Sequence, residues 1–243
     1  MNLNKLKKEY DENGYIVIRN FLDKTIIRKI KENLEEYINT NINSFSKRNI
    51  NISNKGLVNS VHNMEKWKWT KSIQKNINLI KIVKKFIGSD IKNFGSEVFA
   101  KPAKYGLASP MHQDNFYWCI DDSKGLTVWI ALDKSSNLNG AVSYYRGSHN
   151  LGLLQHEPSF APGSSQKIKF IKGLKNFKLD MPKLNPGDCL IHNCLVVHGS
   201  KKNLSNKSRI GWTLRFIGKK SKKDHFLKKY YEAQLKKQIS SRN

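Results

Sequence analysis

The apolar positions of the chain change rhythm near residue 94. Before that point helical spacing dominates. Residues 15–18, YIVI, are a short apolar run between Gly14 and Asn20 and predict a strand. Behind Asp23, a candidate N-cap, Ile26, Ile27, Ile30, Leu34, Tyr37 and Ile38 recur at helical spacing. Residues 39–62 are rich in Asn and Ser with weak periodicity, and read as a long loop. The isoleucines and Phe86 within 73–87 make a second amphipathic helix, closed by Gly88. From about residue 94, short apolar or aromatic runs alternate with Gly, Pro, Asn and Asp. They are SEVFAKP, LTVWIALD, AVSYY, QKIKFI, DCLIHNCLVV and RIGWTLRFIG. Short strands separated by turn signals suggest a β-sandwich or barrel, not a parallel α/β sheet. The tail from Lys219 predicts a basic helix with Phe226, Leu227, Tyr230 and Leu235 along one side and a solvated charged face.

The length of 243 residues suits one domain. Its expected parts are an N-terminal strand and helices (1–90), a β core (91–218) and the basic C-terminal helix (219–243). Cys119, Cys189 and Cys194 are too few for a disulfide framework and form no Cys-x-x-Cys pair, which argues against structural zinc and dithiol chemistry. The start of the chain lacks the apolar stretch of roughly 7–15 residues that a signal peptide needs. No window approaches the ~18 apolar residues of a membrane span. A soluble protein of a reducing cytoplasm is the expectation. The formal net charge of +25 raises a nucleic-acid, membrane-surface or anionic-substrate partner. Yet only seven of the 44 Lys+Arg are arginine. With Asn and Ile also abundant, a compositional origin is the simpler reading. Arginine forks and nucleic-acid modules are missing, so no specific nucleic-acid partner is expected.

The candidate chemistry lies in PMHQDNFYW, residues 110–118, where His112 and Asp114 stand two apart. In a locally extended chain the two side chains point the same way. His192 and His198 both lie in the late strand region; His198, at the end of an apolar run and entering the turn at Gly199-Ser200, better suits a ligand at a cavity mouth, and His192 stays as the alternative. Arg209 follows eleven residues after His198. If the chain reverses between them, its guanidinium returns to the histidine and could hold an acid by a bidentate pair. Two imidazoles and one carboxylate on one face of an iron leave adjacent positions open, as an oxygenase that binds co-substrate and O₂ requires.

The sequence resembles the phytanoyl-CoA dioxygenase family of Fe(II)- and 2-oxoglutarate-dependent oxygenases. The resemblance runs in order through YDENGYIVIRNFLDKTIIRKI, KPAKYGLASPMHQDNFYW, TVWIALD, NGAVSYYRGSHNLGLL and NPGDCLIHNCLVVHGSKKNLSNKSRIGWTLRF. It implies a mainly β fold with flanking helices, a double-stranded β-helix or jelly-roll (cupin-like) barrel whose mouth holds the metal. It also implies His112, Asp114 and His198 as iron ligands, and Arg209 as the partner of the distal carboxylate of 2-oxoglutarate. Ser200 and Trp129 would line that co-substrate. Trp118 would stand beside the iron, and Gln113 would reach substrate or co-substrate. Lys101 matches a family lysine whose role stays open. Residues 151–180 match least and are expected to form part of a substrate lid, with His156 a candidate substrate contact.

The expected activity is hydroxylation of a C–H bond in a small molecule, the lysine-rich surface favouring an anionic one, with Fe(II) as cofactor, 2-oxoglutarate and O₂ as co-substrates, and succinate and CO₂ released. Desaturation and epimerisation start from the same chemistry. The competing readings are a non-enzymatic binding relative of the same fold and a nucleic-acid-modifying oxygenase. A monomer or a homodimer fits equally well. Tyr144 and Arg146 are candidates to face the pocket, whereas His149 in its Gly-Ser-His turn reads as structural.

Overall fold

A computed structural model describes residues 2–46, 49–161, 164–170 and 172–240. The loop expected at 39–62, the lid expected at 151–180 and the tail to 243 each include residues outside that set: 47 and 48, then 162, 163 and 171, then 241–243.

The chain opens with helix α1 (Leu3–Asn13), strand β1 (Tyr15–Ile18) and helix α2 (Lys24–Asn41). Asp23 caps α2 as expected, its side chain accepting from the Ile26 N–H at 2.8 Å. A hairpin of β2 (Ile50–Ile52) and β3 (Val58–Val61) follows, then helices α3 (Lys68–Gln74) and α4 (Ile77–Ile87). Gly88 closes α4 in the left-handed conformation, φ 73°. Next come β4 (Ile91–Lys101), β5 (Ser109–His112), the five-residue helix α5 (Asp114–Trp118), β6 (Gly125–Ala131) and β7 (Val142–Tyr145). The remainder is β8 (His156–Pro158), β9 (Gln166–Ile168), β10 (Leu179–Asp180), β11 (Cys189–Asn193), β12 (His198–Ser200), β13 (Arg209–Gly218) and helix α6 (His225–Ser240).

Among the described residues all strand pairings are antiparallel. The large sheet runs β1-β11-β6-β13-β4-β3-β2, the small one β10-β7-β12-β5, and β8 and β9 form a separate hairpin. This is the expected jelly-roll barrel with flanking helices. The strand period of two divides the large sheet into two chemistries. On its outer face Val98, Leu126, Val128, Ile130, Ile191, Trp212, Leu214 and Phe216 are buried. They share one core with Ile27, Ile30 and Leu34 of α2 and Leu79, Ile82, Val83 and Phe86 of α4. Its inner face looks into the barrel.

Four expectations change. Residues 39–62 hold the β2–β3 hairpin, which pairs onto β4. Its strands, of three and four residues, are too short for a visible alternation, yet Ile50 and Val61 are buried in the core. The helix expected over 73–87 is two helices, because Asn76 turns out of the first and caps α4 through Leu79 N–H. α1 was not anticipated, because its apolar stripe is only Leu3, Leu6 and Tyr10 in an otherwise polar segment. α6 is rotated from its expected face: Phe226 is 88% exposed, while Gln234 and Gln238 are buried. Its docking is polar and aromatic, with Tyr230 Oη donating to the His156 carbonyl and Phe160 N–H to Gln238.

Candidate metal centre and active site

The run DCLIHNCLVVHGS divides into two strands in two different sheets, β11 ending at Asn193 and β12 starting at His198. Both late histidines therefore point into the barrel from opposite walls. β12 lies between β7 and β5, and its register places His198 directly opposite His112, with ring centroids 4.3 Å apart. Asp114 follows at the first position of α5.

Each of these three side chains has one polar atom committed to the protein. Nδ1 of His112 lies 2.8 Å from the Pro110 carbonyl, and Nδ1 of His198 lies 3.0 Å from the Val196 carbonyl. A carbonyl only accepts, so both Nδ1 atoms carry the proton and both Nε2 atoms keep a lone pair. Burial lowers the pKa of both imidazoles, which favours that neutral form. Oδ2 of Asp114 accepts from Thr127 Oγ1 at 2.6 Å and from His192 Nε2 at 3.0 Å. Tyr144 Oη lies 3.2 Å from Nδ1 of His192, whose lone pair accepts its proton once Nε2–H is turned to the carboxylate. Oδ1 of Asp114 is left facing the two free Nε2 atoms, 3.8 Å from His112 and 3.6 Å from His198. Burial pushes the Asp114 carboxyl up, but His198, His192 and His112 around it outweigh that and hold it well below the usual range. One ligand atom from each of the three lies within 4.8 Å of the others. Two neutral imidazoles and an ionised carboxylate are a donor set that fits a non-haem Fe(II) ion.

Further along the inner face, Arg209 on β13 stands opposite Lys101 on β4. Arg209 is 3% exposed, and its guanidinium lies over the Trp129 ring at 5.4 Å. Its Nε and Nη1 are buried without a hydrogen-bond partner. Lys101 Nζ donates to the Leu107 carbonyl. Burial first, then the neighbouring Arg209, lowers Lys101 to about 7, and burial lowers Arg209 to about 10. Two buried cations side by side, one with orphaned N–H groups, suit an anion with paired oxygens. Ser200 is buried two residues beyond His198 on β12 and faces the same way.

Other expected residues sit elsewhere. Gln113 points away from its two neighbours on the extended chain and is fully buried. Its Nε2 donates to the carbonyls of Gly152 and Leu195, and its Oε1 accepts from Leu154 N–H. Both amide hydrogens and one lone pair of the oxygen are thus spent on backbone, and its full burial keeps it from a substrate. Trp118 packs edge-on against Phe94 at 5.0 Å, in a cluster with Ile120, Cys194 and Ile217. The helical turn of α5 brings Tyr117 to the site instead, its ring edge-on to His112 at 5.6 Å. His156 is buried, stacked on Phe116 at 4.1 Å, with both ring nitrogens bonded to backbone, so it too is structural. Arg146 bonds Asn13, and His149 bonds the Asp11 carbonyl, both holding the turn to α1. Tyr144 does face inward. Nothing local in the sequence marks Thr127; only its register opposite His192 on β11 aims it at Asp114.

The profile of the family described as Phytanoyl-CoA dioxygenase (PhyH) matches residues 10–211. The human protein "Phytanoyl-CoA dioxygenase, peroxisomal" is 23% identical over 215 residues, covering 81% of this chain and 63% of that protein. The chain thus spans less than two thirds of that relative's length. Among solved structures, EctD from S. alaskensis with bound Fe superposes with a TM-score of 0.75 at 15% identity, covering 88% of this chain and 76% of that one. The epimerase SnoN, in complex with Fe3+, alpha ketoglutarate and nogalamycin RO, superposes at 0.72 with 20% identity, covering 93% and 88%. At these identities the superpositions speak for the fold.

Proposed function

Because the chain belongs to the phytanoyl-CoA dioxygenase (PhyH) family, we propose that it is an Fe(II)- and 2-oxoglutarate-dependent oxygenase hydroxylating a C–H bond of a small anionic molecule. The observation that carries this reading is the division of labour in the triad. His112, Asp114 and His198 each tie one polar atom to the protein and turn the other to a common point.

In this reading Nε2 of His112, Oδ1 of Asp114 and Nε2 of His198 hold the metal. Thr127 and His192 fix the carboxylate so that only Oδ1 turns to it, as outer-shell partners of metal sites do. Arg209 receives the distal carboxylate of 2-oxoglutarate, Lys101 adds a second positive charge, Trp129 backs the guanidinium, and Ser200 lines the space between. When bound, iron with 2-oxoglutarate and O₂ supplies the oxidising power, one oxygen atom going to the substrate and one to succinate as CO₂ leaves. The chain's own contribution is position and exclusion of water. The triad side chains are only 9–16% exposed, and Tyr117 walls the site beside His112. Asp114 is retained where a halide would need an open position, which favours hydroxylation. We further read the whole chain as one catalytic domain, acting as a monomer or homodimer in the cytoplasm. No helix of the described residues is long and apolar enough to cross a membrane.

The test is a titration of the anaerobic Fe(II) protein with 2-oxoglutarate, following the metal-to-ligand charge-transfer band. The band is expected in the native protein and weakened or lost in Asp114→Ala and Arg209→Ala. A folded protein that takes up neither iron nor 2-oxoglutarate would turn the reading toward a non-enzymatic relative.

A further inference from the structure

A second polar row lies on the inner face of the large sheet, outside the triad and outside the Arg209–Lys101 pair. Register places it. Arg215 on β13 stands opposite Thr127 on β6, the residue that bonds Asp114, and opposite Gly95 on β4. Directly opposed residues of antiparallel strands share a face, so Arg215 lies on the metal side of the sheet. Glu97 is two residues along β4 from Gly95, on the same face. Arg215 Nη2 lies 3.3 Å from Glu97 Oε1, and that same oxygen lies 2.9 Å from His62 Nδ1. His62 Nε2 lies 2.8 Å from Ser60 Oγ. The row therefore runs Arg215–Glu97–His62–Ser60 from β13 to β3.

Three features separate it from an ordinary salt bridge. The guanidinium lies where the side chain of residue 95 would be: a Cβ on Gly95 would sit 2.2 Å from Arg215 Nη2 and 2.3 Å from its Nε. The absence of a side chain there makes the seat, and Phe94 flanks it, 5.2 Å from the guanidinium carbon. Arg215 meets Glu97 at Nη2, while its Nε is buried without a hydrogen-bond partner. A buried N–H with no acceptor costs free energy, so the guanidinium is held in this seat with part of its hydrogen-bonding capacity unmet. Finally, the row is reachable, with side-chain exposures of 21% for Arg215, 14% for Glu97 and 29% for His62.

Ser60, His62 and Glu97 also have the spacing of a hydrolytic relay. Ser60, however, lies within a strand paired on both sides, with Asn51 and with Phe99. Its neighbouring N–H groups belong to the sheet ladder, so no pair is free to hold an oxyanion. The row suits recognition and not acyl transfer.

We propose that Arg215, seated on Gly95, is the residue that reads the anionic group of the prime substrate. It receives a carboxylate or phosphate oxygen at Nη1, on the open edge of the guanidinium, while Gly95 seats the Nε edge and Glu97, held by His62, fixes Nη2. This rests on the oxygenase reading and names the part of the barrel that selects its substrate. A guanidinium fork matches either anion bidentately, whereas lysine offers only a point charge.

The experiment uses the full chain, loaded anaerobically with Fe(II) and saturating 2-oxoglutarate so that the Arg209 site is filled. Acetate and methyl phosphate are the two probes, each followed by thermal stabilisation and by perturbation of the charge-transfer band. The native protein is expected to bind one of them saturably. Arg215→Gln should weaken that binding about 10–100-fold, with 2-oxoglutarate binding and circular dichroism unchanged. Arg215→Lys should recover part of it. Gly95→Ala, which keeps every charge and displaces the guanidinium, should resemble Arg215→Gln. Preference for acetate or for methyl phosphate tells which anion the substrate carries. Saturable binding of neither probe, or equal binding in the native protein, Arg215→Gln and Gly95→Ala, would overturn the proposal while the charge-transfer band still upholds the oxygenase. Absence of the band with Arg215-dependent anion binding intact would remove the oxygenase reading and leave an anion-binding barrel.

Discussion

On β13, Trp212, Leu214 and Phe216 point one way and Arg209, Thr213 and Arg215 the other. The first set is at most 1% exposed and packs against the helices. The second faces the barrel interior with unmet polar capacity: Nε and Nη1 of Arg209 and Nε of Arg215 are buried and unpaired. Both faces belong to one hydrogen-bonded backbone, so rigidity made on the outer face is delivered to the inner one. Stability and chemistry are thereby segregated residue by residue along the strand, and substitutions on the two faces should fail in different ways.

The largest effect on stability is expected from Trp212→Ala. Trp212 is fully buried, packs edge-on to Trp67 at 5.3 Å and donates from Nε1 to Ser96 Oγ at 3.0 Å. Its truncation should cost about 3–5 kcal/mol in denaturant unfolding, lowering iron and 2-oxoglutarate uptake only through loss of folded protein. A loss below about 1 kcal/mol would mean that the outer face does not carry the fold.

Arg209→Gln should invert that pattern. 2-Oxoglutarate binding is expected to weaken about 10–100-fold, read from the charge-transfer titration, while the unfolding midpoint holds or rises because a buried unpaired cation is gone. Thr127→Val, nearly isosteric, removes one of two hydrogen bonds that fix Asp114. Iron affinity should fall about 10–100-fold, measured by competition with a chelator, with thermal stability little changed.

Lys101 makes the comparison pH-dependent. The unfolded chain keeps this proton to its ordinary 10.5, whereas the folded, ligand-free protein releases it near 7. The unfolded state thus binds more protons between those values, and Lys101 makes stability rise with pH across that window. Anion binding should act in the opposite direction. 2-Oxoglutarate draws the proton back, so its affinity should fall as pH rises above 7, with proton uptake on binding at pH about 8. Calorimetry in two buffers of different ionisation enthalpy reads that uptake, and Lys101→Met should abolish it. The smallest effect is expected from Phe226→Ser on α6. With Phe226 88% exposed, the change in unfolding free energy should stay within about 0.5 kcal/mol.

Much of this was legible along the chain. Asp23 and Gly88 marked the ends of α2 and α4 because caps are local chemistry. The strands after residue 94 announced themselves by short apolar runs, and the ordered motifs pointed to His112, Asp114, His198 and Arg209, which the fold brings to one barrel interior. Residues near them in sequence were read less well. Gln113 and Trp118 adjoin the triad along the chain and turn from it in space, because an extended residue and a helical turn direct consecutive side chains differently. Tyr117 takes the place expected of Trp118 for that reason.

The sequence by itself determined the family, the antiparallel β core, the two helix caps and the residue types able to hold a metal, since all of these rest on local pattern or ordered motifs. Tertiary structure alone decided what separates His192 from His198. Four residues between β11 and β12 send the two imidazoles to opposite walls, one to hold Asp114 and one to face His112. It also decided that Thr127, Lys101 and Arg215, far apart in the chain, line one inner face. Strand register sets which side chains meet across a sheet, and register is fixed by long-range burial of the opposite face, which no local stretch of sequence records.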